Sequence, residues 1–176
     1  MPDYVKLPIG TDAPNRVNVV IEIPKDSMNK YEYDKRLQVF RLDRTLFSPV
    51  HYPGDYGFIP QTLGLDGDPL DVLVLVEAPS FPGCFIEVRP IGVLRMIDQG
   101  QKDEKILCVA DSDPLYHNVH DCDHVFPHQL REVEHFFAIY KNLEGKKTEL
   151  AGWGNAEAAR QIIVAGQKRF VPNPER

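Results

Sequence analysis

Three carboxylates fall within six residues at Asp66-Gly67-Asp68-Pro69-Leu70-Asp71, directly ahead of the apolar run 72–76. Two such charges about 6 Å apart repel by about 3 kcal/mol at an effective dielectric near 20. A fold that gathers them needs a positive partner. All-oxygen ligands select hard cations such as magnesium, manganese or calcium. Gly67 permits a tight turn, Pro69 blocks regular pairing, and the following strand fixes Asp71 at its mouth. A calcium loop of the EF-hand kind does not fit, because Asp71 stands at its sixth position in place of glycine and no helix precedes it. In a second acidic pair, Asp98 ends one predicted strand and Asp103 precedes the next, with Lys105 just beyond. By spacing alone that pair reads as a solvated hairpin tip.

The elements that must position these groups come in two blocks. The first two thirds of the chain alternate like strands. Val17, Val19, Ile21 and Ile23 mark one, 30–34 and 37–42 a second and third, 72–76 a short fully apolar one, and 85–97 with 105–110 the rest. Residues 48–69 read as a long Pro- and Gly-rich loop, too aromatic for disorder and of a length that is usually functional. The last third turns helical. Leu130, Val133, Phe136, Phe137 and Tyr140 recur at three- to four-residue spacing and predict a helix over about 127–143, with Pro127 in its first turn. Asn155 is placed to cap a second helix over 156–170 that buries Ile162 and Ile163. Strands followed by helices make an α+β chain, with helices packed on a strongly curved sheet or barrel.

The chain has 176 residues, which suits a single domain over 1–176, and a formal net charge of −6. That acidity disfavours binding to a nucleic-acid backbone and suits a protein that holds cations. No run approaches the roughly 20 apolar residues of a membrane helix, and the first residues carry no apolar signal core. A cytoplasmic protein without membrane attachment is the expectation. Cys84, Cys108 and Cys122, with no CxxC spacing, read as free thiols. The stretch 117–128, with His117, His120, Cys122, His124 and His128, has zinc-type side chains but no finger spacing, and reads as a polar loop leading into a helix.

The segments VVIEIPKDSMNKYEYD (19–34), LDRTLFSPVHYPGDYGFIPQTLGLDGDPLDVLVL (42–75), RPIGVLRMID (89–98), EVEHFFAIYKNLEGK (132–146) and GWGNAEAA (152–159) together resemble the family I soluble inorganic pyrophosphatases, in the family's order. The length is similar to the short prokaryotic branch. The resemblance implies a small closed five-stranded OB-like β-barrel with two main α-helices packed on it. It implies several magnesium ions per site, with manganese as a possible substitute, and a hexameric assembly. It assigns Asp66, Asp71 and Asp103 to the tightest ion and Asp98 with Asp103 to an ion arriving with substrate. Glu32 stands near a further ion, and Glu22 is an acid acting mainly through water. Asp68 orients or deprotonates the attacking water. Lys30 and Tyr56 hold the attacked phosphate, Arg44, Tyr140 and Lys141 the leaving phosphate, with Lys105 a further site lysine and Tyr52 on the wall.

Those seven acids and four cationic side chains leave about three net negative charges before pyrophosphate adds its own. Such a site cannot bind a polyanion unaided, so cations must belong to the substrate complex. Two other readings remain. One is a magnesium-dependent hydrolase of nucleotides, which needs a base or ribose slot that no motif announces. The other is a non-catalytic OB-type module, which needs a basic aromatic face.

Overall fold

Val17, Val19 and Ile21 are wholly buried, and the alternation that predicts a strand there produces β1 (Val17–Ile23). The computed structural model describes residues 3–170, so residues 1–2 and 171–176 of the domain expected over 1–176 lie outside the described residues. The other strands are β2 (Asn29–Asp34), β3 (Val39–Thr45), β4 (Asp55–Ile59), β5 (Leu70–Leu75), β6 (Phe85–Asp98), β7 (Gln101–Lys102), β8 (Lys105–Ala110) and β9 (Thr148–Asn155). The α-helices among the described residues are α1 (Pro127–Ile139) and α2 (Ala156–Arg169).

Five strands close a ring. β1 pairs with β4, β4 with β5, β5 with β8, β8 with β6, and β6 returns to β1. All these pairings are antiparallel except β5–β8. Val17, Val19 and Ile21 point inward with Ile59, Val72, Val74, Val88, Val93, Ile106 and Cys108, and α2 lays Ala159 and Ile163 against them. The opposite phase of the same strands places Leu73, Leu75, Leu107 and Val109 outside, where Val133, Phe136 and Phe137 of α1 cover them. Burying each phenylalanine contributes about 2–3 kcal/mol. Side chains alternate with period two. Asp71 and Lys105 are therefore in phase with Leu73 and Leu107, on the outer face. The β2–β3 hairpin folds over the same side through a third cluster of Val20, Tyr33 and Phe58.

Several boundaries move. The third strand lies at 39–45 rather than 37–42, because residues 35–38 form the hairpin turn, with Gln38 at φ 55°. The expected loop 48–69 contains β4. A Cβ on Gly57 would stand 1.9 Å from the Val20 carbonyl oxygen, so the glycine read as loop punctuation is what lets β4 lie close against β1. β9, with Gly152 and Gly154 in its sequence, is not anticipated by alternation, yet it pairs along the second half of β6. α1 begins with Pro127 as expected but ends at Ile139, and a 3-10 turn follows at Asn142–Glu144. Asn155 caps α2 by accepting from the Ala158 amide at 3.0 Å; Ile163 is buried and Ile162 half-buried. Cys84, Cys108 and Cys122 are free. No helix among the described residues is long and apolar enough to cross a membrane.

Candidate active site

Asp66, Asp68 and Asp71 are brought together by the turn that enters β5. The Asp66 carboxylate accepts from the Asp68 amide at 3.0 Å, the Gly64 amide donates to the Asp68 carbonyl at 2.7 Å, and Gly67 takes φ 89°, a conformation that favours glycine. Asp71 then begins the outward row of β5. β8 runs parallel beside it, with Val72 opposite Ile106, so Asp71 and Lys105 stand side by side one residue earlier.

The opening between this face, the β2–β3 hairpin and the end of α1 is a cavity of about 600 Å³. All seven predicted acids line it: Glu22 from β1, Glu32 from β2, Asp66, Asp68, Asp71, Asp98 from the end of β6, and Asp103 just before β8. Lys30, Lys105, Lys141, Tyr56 and Tyr140 line it too. The hairpin tip that spacing alone left in solvent is folded in. β6 shifts register between Pro90 and Gly92 and again between Leu94 and Met96, and its end carries Asp98 to Lys141, with both side chains only 13% exposed.

Two predicted residues are not on the lining. Tyr52 is buried beneath it, its ring 4.7 Å from that of Phe136 and 5.4 Å from that of Tyr56. Arg44 of β3 is paired with Asp43 and with Glu144 beyond α1. Lys35 and Lys102 line the cavity without having been singled out. Lys35 donates to Asp68 at 2.7 Å. Asp43 also accepts from Lys30 at 3.3 Å. Its signal was available in the sequence, since it adjoins Arg44. Asp55, fully buried in β4, accepts from the amides of Lys25 at 2.8 Å and Ser80 at 3.2 Å and ties two loops to the barrel. The histidine-rich stretch 117–128 contributes nothing to the cavity.

The electrostatics are those of crowded acids. Lys105, 4% exposed, donates to Asp71 and Asp103 at 2.6 Å each. Burial opposes its charge, but the two carboxylates outweigh that and hold its pKa above that of an ordinary lysine. Burial raises Asp103 in spite of Lys105. Glu22 is pushed up to about 8, mainly by burial, with Asp71 adding repulsion against the stabilising hydrogen bond from the Tyr33 amide at 2.7 Å. Burial also raises Tyr56 well above a free phenol and raises Tyr140 more modestly, so both remain protonated donors near neutral pH.

Among the described residues no three His, Cys, Asp or Glu side chains enclose a metal ion as they stand. Lysines occupy the carboxylates: Lys105 between Asp71 and Asp103, Lys35 on Asp68, Lys141 on Asp98 and Lys30 on Glu32. One carboxylate oxygen, Oδ1 of Asp98, is buried without a hydrogen-bond partner. An all-oxygen set with an unsatisfied buried oxygen, neutralised piecemeal by ammonium groups, fits hard divalent cations.

Known proteins resemble this chain in sequence and in fold. The family model described as inorganic pyrophosphatase matches residues 19–171. A protein named inorganic pyrophosphatase from Nostoc sp. is 52% identical over 168 residues, spanning 96% of this chain and 99% of its own length. One of the same name from Synechocystis sp. is 54% identical over 168 residues, with the same spans. The crystal structure of inorganic pyrophosphatase from Thermus thermophilus superposes with a TM-score of 0.94 at 42% identity, covering 96% of this chain and 99% of that one. With a barrel of the same shape and this identity along nearly its whole length, the chain belongs to the inorganic pyrophosphatase family.

Proposed function

We propose that this protein hydrolyses inorganic pyrophosphate to two orthophosphates, using magnesium ions held by the acidic cavity. The observation that carries the reading is the convergence of Asp66, Asp68, Asp71, Asp98 and Asp103 with Lys30, Lys105 and Lys141 around one cavity of about 600 Å³. Asp66, Asp71, Asp98 and Asp103 are the ligand set, with Glu32 at the margin and Glu22 acting through water. When bound there, divalent cations shield the substrate's charge and lower the pKa of a coordinated water toward roughly 7.

The chain's own groups supply the rest. Asp68, on an exposed turn facing the cavity, orients the attacking water and takes its proton. The water oxygen forms a bond to one phosphorus as that phosphorus loses its bridging oxygen, and the electron pair leaves with the second phosphate. Lys30 and Tyr56 hold the attacked phosphate. Arg44, Lys141 and Tyr140 stabilise charge on the leaving one, with Lys105 nearby. The arginine offers a planar fork and the lysine a movable point charge. A direct displacement needs no covalent intermediate.

Manganese suits the same oxygen set and substitutes for magnesium there. The resemblance to the short prokaryotic branch supports a cytoplasmic enzyme of one domain that assembles as a hexamer and takes pyrophosphate, with no nucleic acid or membrane as partner.

Phosphate release from magnesium pyrophosphate tests the reading. Release should stop on chelation and return with excess magnesium, and ATP should be turned over far more slowly. Release unaffected by chelator, or faster from ATP, would reject it.

A further inference from the structure

Arg44 and Glu144 lie 100 residues apart in sequence, on β3 and on the 3-10 turn that follows α1. The side chain of Glu144 is 6% exposed, an uncommon degree of burial for a glutamate carboxylate. Its Oε1 lies 3.0 Å from Arg44 Nε, off the N–H axis, and Oε2 accepts from Nη2 at 3.4 Å. The other facing charges are Asp43, on the far side of the guanidinium, and Lys146, whose Nζ is 3.6 Å from Oε1. Lys146 is 41% exposed, so its attraction is weakened by solvent.

The turn is tightly made. The Lys141 carbonyl accepts from the amides of Glu144 at 3.0 Å and Lys146 at 3.3 Å. The backbone that bears Lys141 is thereby fixed to the residue that grips Arg44. Of the two cations assigned to one phosphate, Lys141 lines the cavity at the end of α1 and Arg44 stands behind the lining on the hairpin, and Glu144 links the two elements through its side chain and its amide.

We infer that Glu144 is a positioning residue: it orients the Arg44 guanidinium and locks β3 to the turn carrying Lys141, so that both cations meet the same phosphate. This rests on the reading of Arg44 and Lys141 as leaving-phosphate ligands. A planar fork works only when its plane is set, and a buried carboxylate sets it where a solvated arginine would rotate.

The experiment is a double-mutant cycle on the full-length enzyme with magnesium pyrophosphate. Glu144→Gln keeps the shape and loses the charge; it should lower kcat by about tenfold with little change in KM, because the lost alignment matters most as the leaving group develops charge. Glu144→Asp should recover part of that loss. In an Arg44→Ala background, Glu144→Gln should cost nothing further. An equal loss in both backgrounds, or no loss in the parent, overturns the inference. Activity undiminished in Arg44→Ala alone would instead reject the assignment of Arg44, and with it the premise. Should Glu144→Gln melt well below the parent, the Asp variant carries the test: parent-like stability with reduced kcat supports positioning, and parent-like kcat overturns it.

Discussion

The ammonium of Lys105 lies 2.6 Å from the Asp71 carboxylate, reaching it from the neighbouring parallel strand at the same level of the barrel. The lysine is almost fully buried, so the two carboxylates it touches depend on it whenever no metal is bound. Lys105→Met should therefore melt at a lower temperature in chelator, since leaving two part-buried carboxylates without their shared cation costs about 1–3 kcal/mol. Excess magnesium should restore most of the loss. Calorimetry with and without magnesium checks this, and equal melting of variant and parent in chelator would count against it.

Asp71 and Asp68 sit three residues apart and should separate cleanly. Asp71→Ala should lose magnesium affinity and activity together, because Asp71 stands on the rigid start of β5 where a ligand is fixed by the fold. Titration calorimetry and phosphate release measure the two effects on the same preparation.

Asp68→Asn should keep magnesium binding close to that of the parent and reduce kcat by about 10²–10⁴, the usual contribution of a positioned proton acceptor. Its side chain is largely exposed and pairs with the exposed Lys35, so no stability change is expected. Parent-like turnover would remove Asp68 from the proton-transfer role.

Glu22 makes the metal-free protein sensitive to pH. Its folded pKa of about 8 lies above the ordinary carboxyl value of 4.5. The folded state thus retains a proton that the unfolded chain gives up, and the stability this contributes is full below about 4.5 and lost as pH rises through about 8. In chelator, the parent should lose stability across that window relative to Glu22→Gln, by several kcal/mol. Parallel melting-temperature profiles for the two proteins would show that the carboxyl is not buried in this way.

Much of this architecture was legible in sequence where local chemistry and regular alternation agree. The Asp66–Asp71 turn is written by Gly67 and Pro69, and α1 and α2 by their apolar spacing. The missed features depend on distance. β4 was hidden because Gly57, needed for contact with Val20, looks like loop punctuation. By spacing alone Asp98 and Asp103 looked solvated, and only the family resemblance put them in the site, because nothing local states how two register shifts aim the end of a 14-residue strand. Lys35 reaches Asp68 across a hairpin, and Glu144 reaches Arg44 across 100 residues; no window around either could contain its partner.

β6 is hydrogen-bonded along its length to β1, β8, β9 and β7 in turn. Fraying any one neighbour leaves the others in place, so its central amide protons should exchange with solvent only through global opening. Asp98, the last residue of β6, therefore stands on a strand held from several sides at once. An ion exchanging beside Asp98, as the proposed function requires, would leave that scaffold closed.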